Sequence, residues 1–141
     1  MRRILIVGTC LLMTVGMVAN SVSDKTEIEA LIEALMKGVD EQNGDMILKN
    51  FRENATIQAT NQGNIISVEY KQFAAMHSSK KFGGRDRKVK IESVDTVDGI
   101  LGTAKVVAYD SKVHYTYYLN FSKVDGKWLI QSFLQHSKLL E

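Results

Sequence analysis

Apolar residues at Ile28, Leu31, Ile32, Leu35 and Val39 recur every three or four positions, with Lys37, Asp40 and Glu41 off that stripe. The spacing predicts an amphipathic helix over 26–42. Thr26 and Glu29 have the spacing of a capping box, which sets its expected start. Asn43-Gly44-Asp45 stops it and caps a short second helix, Met46 to Phe51. Ala55 to Thr60 alternates with period two, as a strand does. Asn61-Gln62-Gly63-Asn64 is a turn cluster, and Ile65-Ile66 returns from it as a short strand. Ser67 is placed to cap a third helix, Val68 to Ser79, with Tyr70, Phe73, Ala74 and His77 on one face.

The second half reads as long strands. Val89 to Val97 comes first, and its alternation slips near Ser93-Val94, which predicts a bulge or bend. Ile100 to Tyr109 follows the Asp98-Gly99 turn. Val113 to Lys123 places Val113, Tyr115, Tyr117, Leu119 and Phe121 on one face. His114, Thr116, Tyr118, Asn120 and Ser122 lie on the other. Asp125-Gly126 is a hairpin signal, and Trp128 to His136 is the last strand. The order ααββαββββ implies an α+β domain in which an antiparallel sheet is covered on one face by helices.

The N-terminus has a separate logic. Arg2 and Arg3 precede an uncharged apolar run, Ile4 to Ala19, and small residues follow at Ala19, Ser21 and Ser23. That is the pattern of a secretory signal peptide over 1–23, with a single domain over 24–141. The expected location is secreted or periplasmic, with no stable membrane anchor after cleavage. An uncleaved N-terminal anchor is the rival reading. The whole chain carries 18 basic and 16 acidic residues, and without Arg2 and Arg3 the two signs balance. A neutral domain lacks the basic field that nucleic-acid binding needs. The single Cys, Cys10, lies in the apolar run, so no disulfide framework forms within the domain.

Three segments resemble a known family: Ile28-Glu29-Ala30-Leu31-Ile32 through Gly38, Phe51-Arg52-Glu53-Asn54-Ala55, and Tyr118 through Ile130 with its Gly126-Lys127-Trp128-Leu129-Ile130 hairpin. The likeness covers about 26–136 and is to the nuclear transport factor two-like superfamily, in its SnoaL-like and lumazine-binding branch. It implies a cone-shaped, curved antiparallel sheet packed against three helices of the N-terminal half, with a cavity between sheet and helices. The branch often has an Asp where this chain has Tyr117, and a Lys near Phe133. Both departures imply a cavity more apolar than is usual for the branch.

No catalytic motif stands out. Asp40, Glu41, Asp45, Asp86, Asp98, Asp110 and Asp125 sit at turns or on expected helix exteriors, where solvent is the default. His77, His114 and His136 have no metal-ligand spacing, and no metal or cofactor is expected. His77, on the inner face of the third helix, is the weak catalytic candidate, since the dehydratase relatives use a His–acid dyad. The expected ligand wall comprises Phe73, His77, Tyr117, Gln131 and Phe133, apolar with hydrogen-bonding points, which suits a small hydrophobic or amphiphilic molecule. Six basic residues against one acid over 80–90 read as a solvated loop entering an edge strand. The leading expectation is an exported, non-catalytic small-molecule-binding module that forms a homodimer through the outer sheet face, where Tyr118 and His114 lie. The alternatives are an isomerase, dehydratase or cyclase acting on a small hydrophobic substrate, and a dimeric protein-interaction module.

Overall fold

The computed structural model describes residues 14–61 and 63–141. The elements are α1 (Thr14–Asp40), α2 (Gly44–Leu48), β1 (Phe51–Asn61), β2 (Asn64–Glu69), α3 (Tyr70–Ser78), β3 (Lys88–Val97), β4 (Leu101–Tyr109), β5 (Val113–Val124) and β6 (Lys127–Leu139). The order ααββαββββ matches the sequence pattern. The first part of the expected signal peptide, 1–13, lies outside the described residues, whereas 14–23 is helical and continuous with the amphipathic stretch. Among the described residues no helix is long and apolar enough to cross a membrane.

The expected sheet needs two corrections. It is mixed rather than antiparallel: β1 runs parallel to β6, with Ile57 beside Phe133, while the other neighbours are antiparallel. The meander β3 to β6 supplies four strands, and the separate β1–β2 hairpin joins it through β1 at the free side of β6. It is also an open row, β2-β1-β6-β5-β4-β3, and not a cone. Closing or strongly curling such a row would bring its ends together. Here β2 and β3 remain separate edges, and the bulges at Ile91/Ser93 and Asn120/Phe121 bend the strands only locally.

Two caps also differ. Thr26 does not start a helix; its hydroxyl donates to the Val22 carbonyl one turn back, inside α1 (3.1 Å). The backbone is already helical upstream, so the N–H groups a cap would serve are engaged. Ser67 does not cap α3. It lies in β2, where its hydroxyl accepts from Gln58, and α3 begins after Glu69 without a side-chain cap. Asn43 does cap α2, accepting from the Met46 N–H at 3.0 Å.

The core forms where α1, α2 and α3 cover one sheet face. Ile28, Ile32, Leu35, Ile47, Leu119, Phe121 and Ile130 are fully buried. Each such side chain stabilises the fold by about 1.5–3 kcal/mol. Gly102 lets α1 approach β4, because a Cβ there would stand 2.8 Å from Ile28 Cδ1. One polar clamp fixes the helix lengthwise. Asp24, 4% exposed, accepts on Oδ1 from Lys123 Nζ (2.7 Å) and Trp128 Nε1 (3.0 Å).

The Lys123 hydrogen bond is the main reason that the Asp24 carboxyl lies below its usual value of 3.8, against the opposing effect of burial. A lowered folded value means that the clamp's stabilisation is complete above the unfolded value and fades as pH falls through the folded one. Asp24→Asn should therefore melt well below wild type at neutral pH and approach it in acid, as pH falls through the lowered folded value. Paired melting curves across pH check this. A gap independent of pH would assign the effect to packing.

Candidate functional site

The site begins with a loop. After α3, Lys80, Gly83 and Gly84 take positive φ values of 59°, 75° and 67°. They fold the chain back onto the C-terminal end of α1. The Gly84 N–H donates to the Val39 carbonyl, and Gln42 Nε2 donates to the Phe82 carbonyl at 2.8 Å. Only glycine fits at 83, where a Cβ would lie 2.1 Å from the Val39 oxygen in a left-handed conformation. The loop delivers Arg87, the residue before β3, into the space beneath α1.

Arg87 is the residue that the sequence reading placed wrongly, in a solvated loop. Its side chain is 3% exposed. Nε donates to Asp40 Oδ1 at 2.6 Å, and Nη1 donates to the Tyr117 hydroxyl oxygen at 2.5 Å. The guanidinium lies over the rings of Tyr115 and Tyr117, 5.2 and 6.0 Å from their centroids. Among the described residues Nη2 reaches only Met36 Sδ, at 3.9 Å. Exposed Lys80, Lys81, Lys88 and Lys90 do fit the expected solvated face.

Asp40 is likewise not on a helix exterior in the expected sense. It is the last residue of α1, and its side chain is 22% exposed. Burial lifts its carboxyl above the usual value despite Arg87. Burial alone would lower the Arg87 value, but the neighbouring Tyr117 oxygen and Asp40 carboxylate more than offset it. Tyr117 is pushed up to about 12, chiefly by burial, so its phenol keeps its proton at physiological pH. The interior, expected to be more apolar than is usual for the branch, therefore contains an ion pair.

Beside this pair a groove of about 520 Å³ opens between α1 and β3. Met36, Val89 and Ile91 supply its apolar lining, while Glu29, Glu33, Lys37, Asp40 and Glu41 supply polar groups. Met36 and Asp40 both touch Arg87, so they join the groove to the aromatic interior. That interior is a run of rings: Tyr115 stacks near Tyr117 (6.0 Å), Tyr117 meets Phe133 edge-on (5.4 Å), and Phe133 meets Phe73 edge-on (5.5 Å).

Four of the five residues expected on a ligand wall pack together in the interior, and none of them lines the α1/β3 groove. Phe73, Tyr117 and Phe133 pack as described, and the His77 ring lies 4.4 Å from that of Phe73. Tyr117 and Phe133 are each 2% exposed, and His77 4%. The His77 Nδ1–H donates to the Phe73 carbonyl at 2.8 Å, and burial lowers its pKa, favouring the neutral ring. Gln131 stands apart. It is the extra residue of the β6 bulge, between Ile130 paired to Phe121 and Ser132 paired to Asn120. Its oxygen accepts from Arg52 Nη1 at 2.9 Å and from the Ser122 hydroxyl. Counting outward from the Asp125-Gly126 turn predicts Tyr117 opposite residue 134; the bulge moves its partner to Gln135. Among the described residues no His, Cys, Asp and Glu cluster is arranged to hold a metal.

Arg87 and Asp40 were hidden because they are 47 residues apart and each has a surface-like local setting. The available signals were the paired glycines before Arg87 and its position at the mouth of a strand.

Solved structures share the architecture. An NTF2-like protein of unknown function from Shewanella baltica OS155 superposes with a TM-score of 0.75 at 21% identity, covering 83% of this chain and 95% of that one. One from Methylobacillus flagellatus KT gives 0.74 at 23%, covering 86% and 95%. A ketosteroid isomerase-like protein from Erwinia carotovora atroseptica gives 0.70 at 11%, covering 81% and 95%. At these identities the likeness establishes the fold alone. No curated protein matches the chain. The family model described as "Putative lumazine-binding" matches residues 23–133, and the chain belongs to that family, within the NTF2-like superfamily.

Proposed function

We propose that the protein is an exported, non-catalytic module that binds a small nonpolar or amphiphilic molecule in the α1/β3 groove. The observation that carries this reading is the groove itself, where Met36, Val89 and Ile91 form an apolar lining between α1 and β3. A groove of about 520 Å³ has the size of a small-molecule site. Binding is favoured over catalysis because the two groups best suited to proton transfer are engaged. Asp40 holds Arg87, and His77 is buried against Phe73. Val89 is 38% exposed in the groove. Val89→Asp should change stability by no more than about 1 kcal/mol while weakening Nile red binding about tenfold. Fluorescence titration and melting together test this; unchanged titration with wild-type melting would remove the groove from consideration.

Export is supported by Arg2-Arg3, the apolar run and the small residues after it. The mature chain should begin near Val22 or Asp24. A start at Val22 would keep the carbonyl that receives Thr26 and the helical turn that orients Asp24. Intact mass of the extracytoplasmic fraction measures it, and a soluble cytoplasmic product retaining Met1 would be the contrary result. Homodimerisation through the helix-free sheet face is supported by Tyr118 and Leu134, paired across β5 and β6 and 50% and 44% exposed. Light scattering should give twice the chain mass, and Tyr118→Glu should return the monomer.

A further inference from the structure

The antiparallel register gathers one end of the sheet. Lys88, Tyr109, His114 and Lys138 stand side by side across β3, β4, β5 and β6, so β3 and β5 start where β4 and β6 finish. The loop before β3 and the C-terminus join this end. Arg85 pairs with Asp110, just after β4, and the Leu140 N–H donates to the Lys112 carbonyl. The acids nearby are largely taken: Asp110 by Arg85, Asp40 by Arg87 and Glu41 by Lys37. Asp86 and Glu141 are the exposed exceptions. Against them, Lys80, Lys81, Lys88, Lys112 and Lys138 are exposed, with no ion-pair partner among the described residues.

Large apolar side chains project from the same end. Phe82 is 52% exposed, and Leu139 and Leu140 are 76% and 45% exposed beyond Lys138. Phe82 is not on a slack loop. Its carbonyl accepts from Gln42, the Gly84 N–H is tied to Val39, and Lys80, Gly83 and Gly84 hold the left-handed turns around it. The backbone therefore holds the ring out, with the edge of His77 as its aromatic neighbour at 6.4 Å. Apolar tips set among lysines form the pattern of an interfacial surface. The tips enter below the lipid headgroups, and the lysine stems lie along apolar surface while their ammonium groups stay at the phosphates. Unpaired positive charge selects an anionic bilayer over a neutral one. A protein partner fits less well, since a stable interface needs a continuous patch of about 800 Å² on each side. Here the apolar tips sit on separate segments with lysines beside them.

We propose that this end docks reversibly on an anionic phospholipid bilayer, with Phe82, Leu139 and Leu140 entering the interface and the lysines at the level of the lipid phosphates. The docking does not depend on the α1/β3 groove. Phe82→Trp in the full chain gives a local reporter, and the wild type supplies the blank for Trp128, which is 4% exposed. Vesicles of phosphatidylcholine mixed equally with phosphatidylglycerol should shift the new tryptophan's emission to the blue and allow quenching by brominated lipid. Phosphatidylcholine alone should not, and raised salt should reverse the shift. Added to the reporter chain, Lys80→Glu with Lys81→Glu should weaken vesicle binding at least about tenfold. Leu139→Ser with Leu140→Ser should weaken it about tenfold. All four positions are exposed, so melting should stay at the wild-type value. Lys80→Gln with Lys81→Gln gives a milder pair if the glutamates disturb the loop. Attachment through the apolar run 4–19 would be alike on both vesicles and indifferent to residues 80 and 81, so it does not mimic this result. An emission that stays solvent-like on the anionic vesicles, or responds equally to both kinds, would overturn the proposal. So would lysine variants that bind like the parent. If heparin, a soluble polyanion, shifts the emission as far as the vesicles do, the surface reads charge alone and the lipid assignment is wrong.

Discussion

Phe133→Ala is expected to destabilise the protein by about 3–5 kcal/mol, with the loss visible as a lower midpoint in urea. Phe133 is 2% exposed and sits among Phe51, Phe73 and Tyr117, with ring centroids at 6.5, 5.5 and 5.4 Å. Ile57 lies beside it on the parallel partner β1. Alanine removes a ring from the junction of α3, β1, β5 and β6, where three elements are fixed by their own pairing and cannot collapse inward. Phe133→Lys should be worse, because an ammonium at that depth has no carboxylate to meet. Small domains have only about 5–15 kcal/mol in total, so the lysine variant should be largely unfolded at room temperature. Reading Phe133 as an open cavity wall predicts the reverse, a folded protein that binds apolar probes poorly. Circular dichroism of Phe133→Lys separates the two. A folded spectrum with a nearly normal melting temperature would show that the aromatic interior is open and hydrated.

The sequence disclosed the elements well, and for a local reason. Hydrophobic period and turn residues act over a few positions, so Asp125-Gly126, Asp98-Gly99 and Asn43 fix their hairpins and cap without distant help. The bulge after Ile91 was legible as a slip in alternation. The bulge at Gln131 left no such trace, because Gln131 and Ser132 are both polar. One unseen extra residue therefore moved Gln131 away from the expected wall. The parallel pairing of β1 with β6 was also illegible, since a strand's own residues do not reveal its neighbour's direction. The same limit applies to the site. That Phe73, His77, Tyr117 and Phe133 face the interior was legible through face and period, though they pack as core and do not line the groove, whereas Arg87 and Asp40 acquire their character only from each other. A loop arginine after two glycines looks solvated until the fold-back onto α1 is known.

The sharpest consequence of that buried pair is a change that costs more alone than in company. Arg87→Leu should destabilise by about 3–5 kcal/mol, because it leaves Asp40 without its cation in a partly desolvated place. Asp40→Leu should cost a similar amount by stranding a guanidinium whose side chain is 3% exposed. The double variant should recover much of either loss. Two leucines fill similar volume, and removing both charges ends the desolvation penalty. Urea unfolding of the four proteins measures the coupling, which additive losses would refute. Losses below about 1 kcal/mol would place the pair among exposed ion pairs of little consequence. The single Arg87→Leu variant carries a pH signature as well. Burial already holds the Asp40 carboxyl above its usual value, and losing Arg87 raises it further. An acid with a raised folded value is stabilising when protonated, and that stability is lost as pH rises through the folded value. The gap between Arg87→Leu and wild type should therefore narrow on acidification and widen toward neutral pH. The Asp40→Leu and double variants should lack this particular trend, because they have no carboxyl at residue 40 to titrate.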